Sequence, residues 1–381
     1  MDKQPYKLRH IALSVPDVAA AQKFFEEPFG MTHAGNAQKG RDTKTSSRNS
    51  HGEIPAMTDK VLFSNKFLFG MALLLCPLPV LAQATYPSKP IRMIVTFPPG
   101  GSTTIIARLI GQRLTDSWGQ QVVVDNRGGG NTIIGSEAVV KAAPDGYTLL
   151  HVTSTHVINP SLLKTPYDAV TDFAPVATLV GTETLLVVNP QVPANNLQEL
   201  IALAKARPGQ LNYASSGSGT ANHLAIELFS ILAGIRMQHI PHKGAGPAVT
   251  DLIGGQVQLF TNNALPLAPF VRSGRLRAIA VSGETRLLAL PDVPTFTESG
   301  LPGFQVKSWQ GVLAPAKTSK AIINKLSLEY ARILRTPELS DTLLKMGADP
   351  LVGSAEQFAA LIKADLVRYA KLIKDAKIKL E

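Results

Sequence analysis

From Ile91 to Val281 the chain switches again and again between two hydrophobic periods, and no other feature restricts its fold as strongly. The run Lys89-Pro90-Ile91-Arg92-Met93-Ile94-Val95-Thr96 ends in β-type residues and gives way to Phe97-Pro98-Pro99-Gly100-Gly101-Ser102, which reads as strand, then turn. Ser102 is placed as the N-cap of a helix over 103–116, where Ile105, Ile106, Leu109, Ile110 and Arg113 fall on helical spacing. The pattern repeats with a strand at 121–124, a glycine-rich loop at 126–131, a helix at 133–143 and a strand at 147–152. Further units follow at 184–188, 197–206, 211–214, 221–232, 248–253, 259–261 and 277–281. Strands alternating with helices predict an α/β architecture with mainly parallel sheets. From Ser319 onward the period is helical throughout, giving helices at 320–334, 337–346 and 355–374 with no strand between them.

The chain has 381 residues, of which 45% are hydrophobic and 17% charged, enough for two domains with cores of their own. Its single cysteine, Cys76, lies in an apolar run that is expected to be removed, which excludes a cysteine nucleophile or a cysteine-type zinc site in the working protein. The net charge is +10, but residues 1–84 hold 10 Lys/Arg against 7 Asp/Glu, leaving 28 against 21 for the remainder. Past residue 84 there is no run of consecutive basic residues and no basic stripe interleaved with aromatics. The excess therefore reads as a soluble basic surface and no nucleic-acid partner is expected.

The first 84 residues follow different rules. From Met57, Lys60 and Lys66 precede an apolar stretch at 67–81 and then Ala82-Gln83-Ala84, the order of a secretory signal peptide spanning 57–84 with cleavage after Ala84. Pro77 and Pro79 break the stretch, which is also too short for a spanning helix, and Leu75 before Cys76 is too bulky for a lipoprotein cleavage box. A periplasmic protein is expected. Upstream, residues 8–17 with the helix-like 18–29 resemble the opening of a glyoxalase-type vicinal-oxygen-chelate domain, in which His10 would be a metal ligand. One strand and one helix cannot complete such a site, so His10 is read as functionless. Residues 36–55 have the polar composition of a disordered linker, and residues 1–56 as a whole read as an anomalous extension ahead of a true start at Met57.

In open α/β sheets, ligands sit beyond the carboxyl ends of strands, where loops enter helices. Pro99-Gly100-Gly101-Ser102-Thr103 occupies that position, as does Ser215-Ser216-Gly217-Ser218-Gly219-Thr220; Thr153-Ser154-Thr155 follows a third strand. Glycines let a ligand approach the backbone, free N–H groups point outward at helix starts and hydroxyls add donors, so these loops are suited to an anion. Asn126-Arg127-Gly128-Gly129-Gly130-Asn131 lacks the Lys-Ser/Thr of a phosphate loop and reads as a structural turn.

These residues, with Ala107-Arg108, 142–149, His223-Leu224-Ala225, 243–248, 290–295, 300–303, Ser308-Trp309 and Leu313-Ala314-Pro315, resemble the Bug-type solute receptors of tripartite tricarboxylate transporters. The resemblance covers residues 86–381. It implies a type II periplasmic-binding-protein fold: two α/β lobes, with a ligand cleft between them and C-terminal helices. Lobe one would comprise 85–188 and 309–381, and lobe two 189–308. It also implies a monomer that binds a small carboxylate without cofactor or metal and hands it to membrane transporter subunits. His242, Lys243, Asn262 and Trp309 join the loops as implied ligand-binding residues. Three positions depart from the family pattern: Thr104 and Asn262 stand where aspartate is common, and His242 where tyrosine often precedes Lys-Gly. Fewer carboxylates near an anion site lower repulsion, and His242 would strengthen anion binding below about pH 6.5.

An enzyme is the first rival reading, and a ligand-sensing or scaffold protein the second. Against catalysis, the chain has no Gly-x-Ser-x-Gly elbow and no His-Glu-x-x-His pair. His239 and His242, three apart beside Pro241, point to opposite faces of an extended segment.

Overall fold

The computed structural model describes residues 86–304, 306–375 and 378, so the expected extension and signal peptide, with His10 and Cys76, lie outside the described residues. The first strand, β1 (Ile91–Val95), sends Ile91, Met93 and Val95 to one core and Ile94 to another, the two-residue alternation of a strand covered on both faces. Helix α1 (Ser102–Trp118) stops where Gly119 takes a left-handed φ of 65°, open to glycine at little cost. Then follow β2 (Val122–Asn126), α2 (Ile133–Val140), β3 (Thr148–Thr153), α3 (Thr155–Leu162) and the 16-residue β4 (Phe173–Val188). After them come α4 (Leu197–Ala206), β5 (Asn212–Ser215), α5 (Ala221–Ala233), β6 (Gln238–Pro241), α6 (Ala245–Ile253), β7 (Leu259–Asn263), α7 (Ala264–Arg272) and β8 (Arg277–Val281). The chain ends with β9 (Lys307–Pro315), α8 (Lys320–Leu334), α9 (Pro337–Lys345), β10 (Ala348–Pro350) and α10 (Ala355–Asp375).

The strand order is β2-β1-β3-β9-β4-β7-β5-β6, with β8 and β10 also paired to β4. β1 runs parallel to β2 and β3, and β5 to β6 and β7, as the alternation predicts. The sheets are nevertheless mixed rather than mainly parallel. β9 is antiparallel to β3 and β4, and β4 is antiparallel to β7, β8 and β10, because these strands carry the chain between two halves and enter each reversed. β4 pairs β9 from Phe173 to Glu183, then pairs β7 and β8 from its last residues, so one strand serves both sheets. The return crossing lies beside it. Val306 O accepts hydrogen bonds from Ser282 Oγ at 2.7 Å and Thr184 Oγ1 at 3.4 Å.

Each half has a core on either face of its sheet. Ile106, Leu326 and Tyr330 pack on one face of the first sheet and Val157, Trp309 and Phe358 on the other. In the second half, Leu186 and Val188 join Phe229 and Phe296, whereas Leu185 and Val187 join Phe260 and Leu267. Two sequence expectations need correction. Gly101, not Ser102, caps α1, because the Ser102 hydroxyl is engaged by amides from elsewhere. A strand, β10, does separate the last helices: three residues including a proline carry no β signal of their own, and pairing with Val180–Thr182 holds them extended.

Candidate functional site

Five strands end around one hollow, and each hands its chain to a helix that begins there. Ser102 and Thr103 open α1, Thr155 opens α3, Ala221 and Asn222 open α5, Ala245 opens α6, and Asn263 caps α7; all of them line the hollow. None of these five helices has a side-chain cap or an acidic residue in its first turn. Two helices away from the hollow are capped by side chains: Asn196 accepts from Glu199 N at α4, where Glu199 also supplies a first-turn acid, and Ser319 accepts from Ile322 N at α8; α2, like the five, has neither cap nor first-turn acid. At α3 Thr153 Oγ1 accepts the Thr155 N–H at 3.2 Å, and at the other four helices no side-chain cap takes the first-turn N–H groups, so the positive ends of the helix dipoles are left at the hollow.

About 70 Å³ of the hollow can be occupied by the centres of water-sized groups. No residue lining it has an ionisable side chain; its polar wall is made of threonine, serine and asparagine. Both sheets contribute. Thr182 and Thr184 come from β4 on either side of its change of partner, and Ser308 from β9 shares a 2.7 Å hydrogen bond with Ser154 Oγ. Asn222 is held by donating Nδ2 to Ser216 Oγ at 2.9 Å and accepting the Thr220 hydroxyl at Oδ1.

Of the candidate residues read from the sequence, the structure gathers Gly101, Ser102, Thr103, Thr153, Thr155, Ser216, Thr220 and Asn262 on the wall. Pro99 and Gly100 are not on the wall: Gly100 lines a separate groove with Gly246 and Val249, where a Cβ on Gly246 would lie 3.4 Å from Pro99 O and one on Gly100 3.7 Å from Gly246 Cα. Ser154 and Ser215 are buried braces behind the wall. Ser215 Oγ sits 2.7 Å from His239 Nε2 and accepts Gly217 N–H at 3.1 Å. Gly219 donates its N–H to His223 Nδ1 at 3.1 Å, and Gly217, with φ of 134°, faces Asn131 across the cleft. Ser218 is half-buried but does not line the hollow.

Three candidates sit elsewhere. The His242 ring lies 2.9 Å from Ile240 O through Nδ1 and 2.8 Å from an Asp251 carboxylate oxygen through Nε2, and Lys243 is exposed. Trp309 is buried and donates Nε1–H to Asp365 at 2.7 Å in the core. Thr104, one of the three departures, is buried and receives the Asn126 amide at 2.7 Å. Sequence reasoning passed over Phe97, Thr182, Thr184, Ala221, Asn222, Ala245, Asn263 and Ser308. The hydroxyls within the apolar run of β4 were the available signal, since a threonine in a fully buried strand needs a reason to be there.

Beneath the Ser215–Thr220 loop lies a stack of rings. His223 and His239 have centroids 4.1 Å apart, and Tyr213 lies 4.9 Å from His239. Burial pushes both imidazoles down to about 4, with His223 and His242 adding to the effect at His239. His223 is therefore neutral at pH 7 and its Nδ1 can accept the Gly219 N–H. Among the described residues, no group of three or more His, Cys, Asp and Glu gathers as a metal site, and no helix is long and apolar enough to cross a membrane.

Two sheets joined by a shared strand, with uncapped helix starts converging on a neutral hollow between them, define a binding protein of the periplasmic type. The sequence pattern described as the tripartite tricarboxylate transporter family receptor matches residues 106–378, and the chain belongs to that family. Protein BugT of Bordetella pertussis is 39% identical over 300 residues, covering 78% of this chain and 92% of that protein. Among solved structures, R. palustris Rpa4515 with adipate superposes with a TM-score of 0.76 at 33% identity, covering 77% of this chain and 99% of its own. MatC from Rhodopseudomonas palustris with bound malate gives 0.70 at 30% identity, covering 76% and 100%.

Proposed function

We propose that this protein is a periplasmic receptor that captures a small organic carboxylate in the hollow between its sheets, delivers it to the membrane subunits of a tripartite tricarboxylate-type transporter, and catalyses nothing. One observation carries the reading: five helix N-termini meet at a single neutral wall, each lacking both cap and acid. A carboxylate there is solvated by N–H and O–H dipoles without needing a cationic side chain. The adipate and malate held by two relatives support an organic acid of this size.

Export is part of the same proposal, with the signal peptide at 57–84 cleaved after Ala84 and the mature receptor a monomer. N-terminal sequencing of the secreted protein tests the start: a mature end at residue 1 removes it. Isothermal titration against mono-, di- and tricarboxylates tests the function. The expected result is stoichiometric binding of at least one acid without turnover. No heat from any carboxylate, or consumption of one, would reject the receptor. Because the wall draws on both sheets, ligand is expected to favour a closed form that the transporter recognises, and X-ray scattering should show a smaller radius of gyration on binding.

A further inference from the structure

On the wall of the hollow, Asn262 carries a carboxamide whose direction the backbone sets. Its Oδ1 accepts the N–H of Asn263 at 2.8 Å, and a backbone N–H can only donate. Turning the amide over would set Nδ2 against that N–H, two donors facing each other at hydrogen-bond distance, so the oxygen belongs where it is. Nδ2 is therefore on the free side. Neither of its hydrogens has an acceptor among the described residues, and the half-buried side chain lines the hollow.

The strand brings this amide to the same side as a second donor. Asn262 follows Phe260 on one face of β7, and Phe260 packs in the core that also holds Ala245 and Ala248 of α6. Ala245 begins α6 and lines the hollow too, so the uncapped start of that helix and Asn262 Nδ2 stand on the same face of the second sheet. An anion there meets N–H donors. With no ionisable side chain on the wall, it meets nothing that could hold or supply a proton.

Resting on the receptor reading above, we infer that Asn262 sets the charge state the receptor accepts: Nδ2 donates directly to a carboxylate of the ligand, and the acid is bound fully ionised, with no proton taken up. A carboxylate at residue 262 would do the opposite. Two carboxyl groups within hydrogen-bond distance cannot both stay ionised, so one of them would have to hold a proton for the ligand to bind. The amide thus separates a receptor for the anion from a receptor for its protonated form.

Asn262→Asp is the test, because it keeps an acceptor for the Asn263 N–H on a side chain of the same shape. Isothermal titration with succinate, malate and adipate from pH 6.5 to 8.0, in phosphate and in Tris, gives the affinity and, from the dependence of the heat on the buffer, the protons exchanged. With the acid that binds, the unaltered protein should exchange none. In Asn262→Asp, affinity at pH 8.0 should be more than about tenfold lower, and the gap should narrow as pH falls, with a proton taken from the buffer. Asn262→Ala should lose about tenfold at every pH, the scale of a hydrogen bond to a charged group, and take up no proton. On the elements packed against β7, the titratable or charged groups are Glu183 of β4, Tyr213 of β5, His223 and Glu227 of α5, Asp251 of α6 and Arg272 of α7; the variants leave all of them in place, so the comparison cancels their effect. A gap that does not narrow, an Asn262→Asp protein that binds as tightly as the unaltered one, or proton uptake by the unaltered protein overturns the inference and leaves the receptor standing. Binding of none of the three acids, nor of any carboxylate in the wider panel, overturns the receptor reading itself.

Discussion

At Ser102 a single hydroxyl oxygen joins the two halves of the molecule, since Asn263 belongs to the second sheet and Gln310 to the first. Removing that oxygen leaves two buried amide donors with nothing to hold. An unpaired buried donor costs about 1–3 kcal/mol. Ser102→Ala is therefore expected to destabilise the ligand-free protein by roughly 2–6 kcal/mol if both amides stay buried, and less if the hollow admits water to them. Urea denaturation would measure it, and a midpoint equal to that of the unaltered protein would show that the halves do not depend on this contact. Its ligand affinity should fall as well, because Ser102 lines the hollow and holds Asn263 in place on its wall. Just before α6, Gly244 holds a φ of 103° that favours glycine, and a Cβ there would lie 3.1 Å from the ring of Pro98, so a side chain would push the two loops apart.

Among the elements, helix starts divide into two kinds, and the division has an electrostatic consequence that can be reversed by mutation. An acid in the first turn stabilises a helix by about 0.3–1 kcal/mol through the dipole. Placed at α5 by Ala221→Asp, the new carboxylate would collect the free N–H groups that otherwise face a ligand. The expected outcome is an unchanged or slightly raised melting temperature together with carboxylate affinity lowered more than about tenfold, since the added charge also repels the ligand. Equal affinity in the variant would mean that α5 does not face the bound anion. The same division explains what the sequence could reveal. α4 and α8 were read residue for residue because Asn196 and Ser319 flank clean helical periods, and α1 was started one residue late because Ser102 imitates a cap while serving another purpose. The loops of the site were visible in their glycines and hydroxyls. Thr182, Thr184, Ser308 and Asn263 were not, because their place on the wall depends on β4 passing from one sheet to the other and on its pairing with β9 and β7, and Pro175 and Gly181 obscure the first part of β4 as a strand. β10 was hidden for a related reason, being extended only through its partner.

Among the described residues, the cores and the floor of the site share a chemical liability in three buried histidines and a fourth that is half-buried. Burial pushes His151, His156, His223 and His239 each from about 6.5 down to about 4, with the hydrogen bonds of His151 to Gln310 and of His156 to Ala169 O opposing it only in part. Above pH 6.5 these rings are neutral in both folded and unfolded chains and contribute no pH dependence. As pH falls below 6.5 the unfolded chain takes up protons that the folded one refuses, so stability is lost until about pH 4, where the folded rings protonate as well. The loss is on the order of 3 kcal/mol for each fully enclosed ring, His151 and His156, and smaller for the partly exposed His239. Summed, that is comparable with a typical folding free energy of about 5–15 kcal/mol. Carboxylates cannot produce the same curve. Asp125 beside Arg92 and Arg127, and Asp168 beneath the Thr171 and Val170 amides, are held below the ordinary carboxylate range, so the stability they supply disappears only in stronger acid. Urea midpoints measured from pH 7.5 to 4.5 should hold level to about 6.5 and then fall steeply, while the folded protein's Gly219 N–H bond to His223 Nδ1 persists until the ring protonates near pH 4. A flat series across that window would mean that these rings are not enclosed in the folded protein.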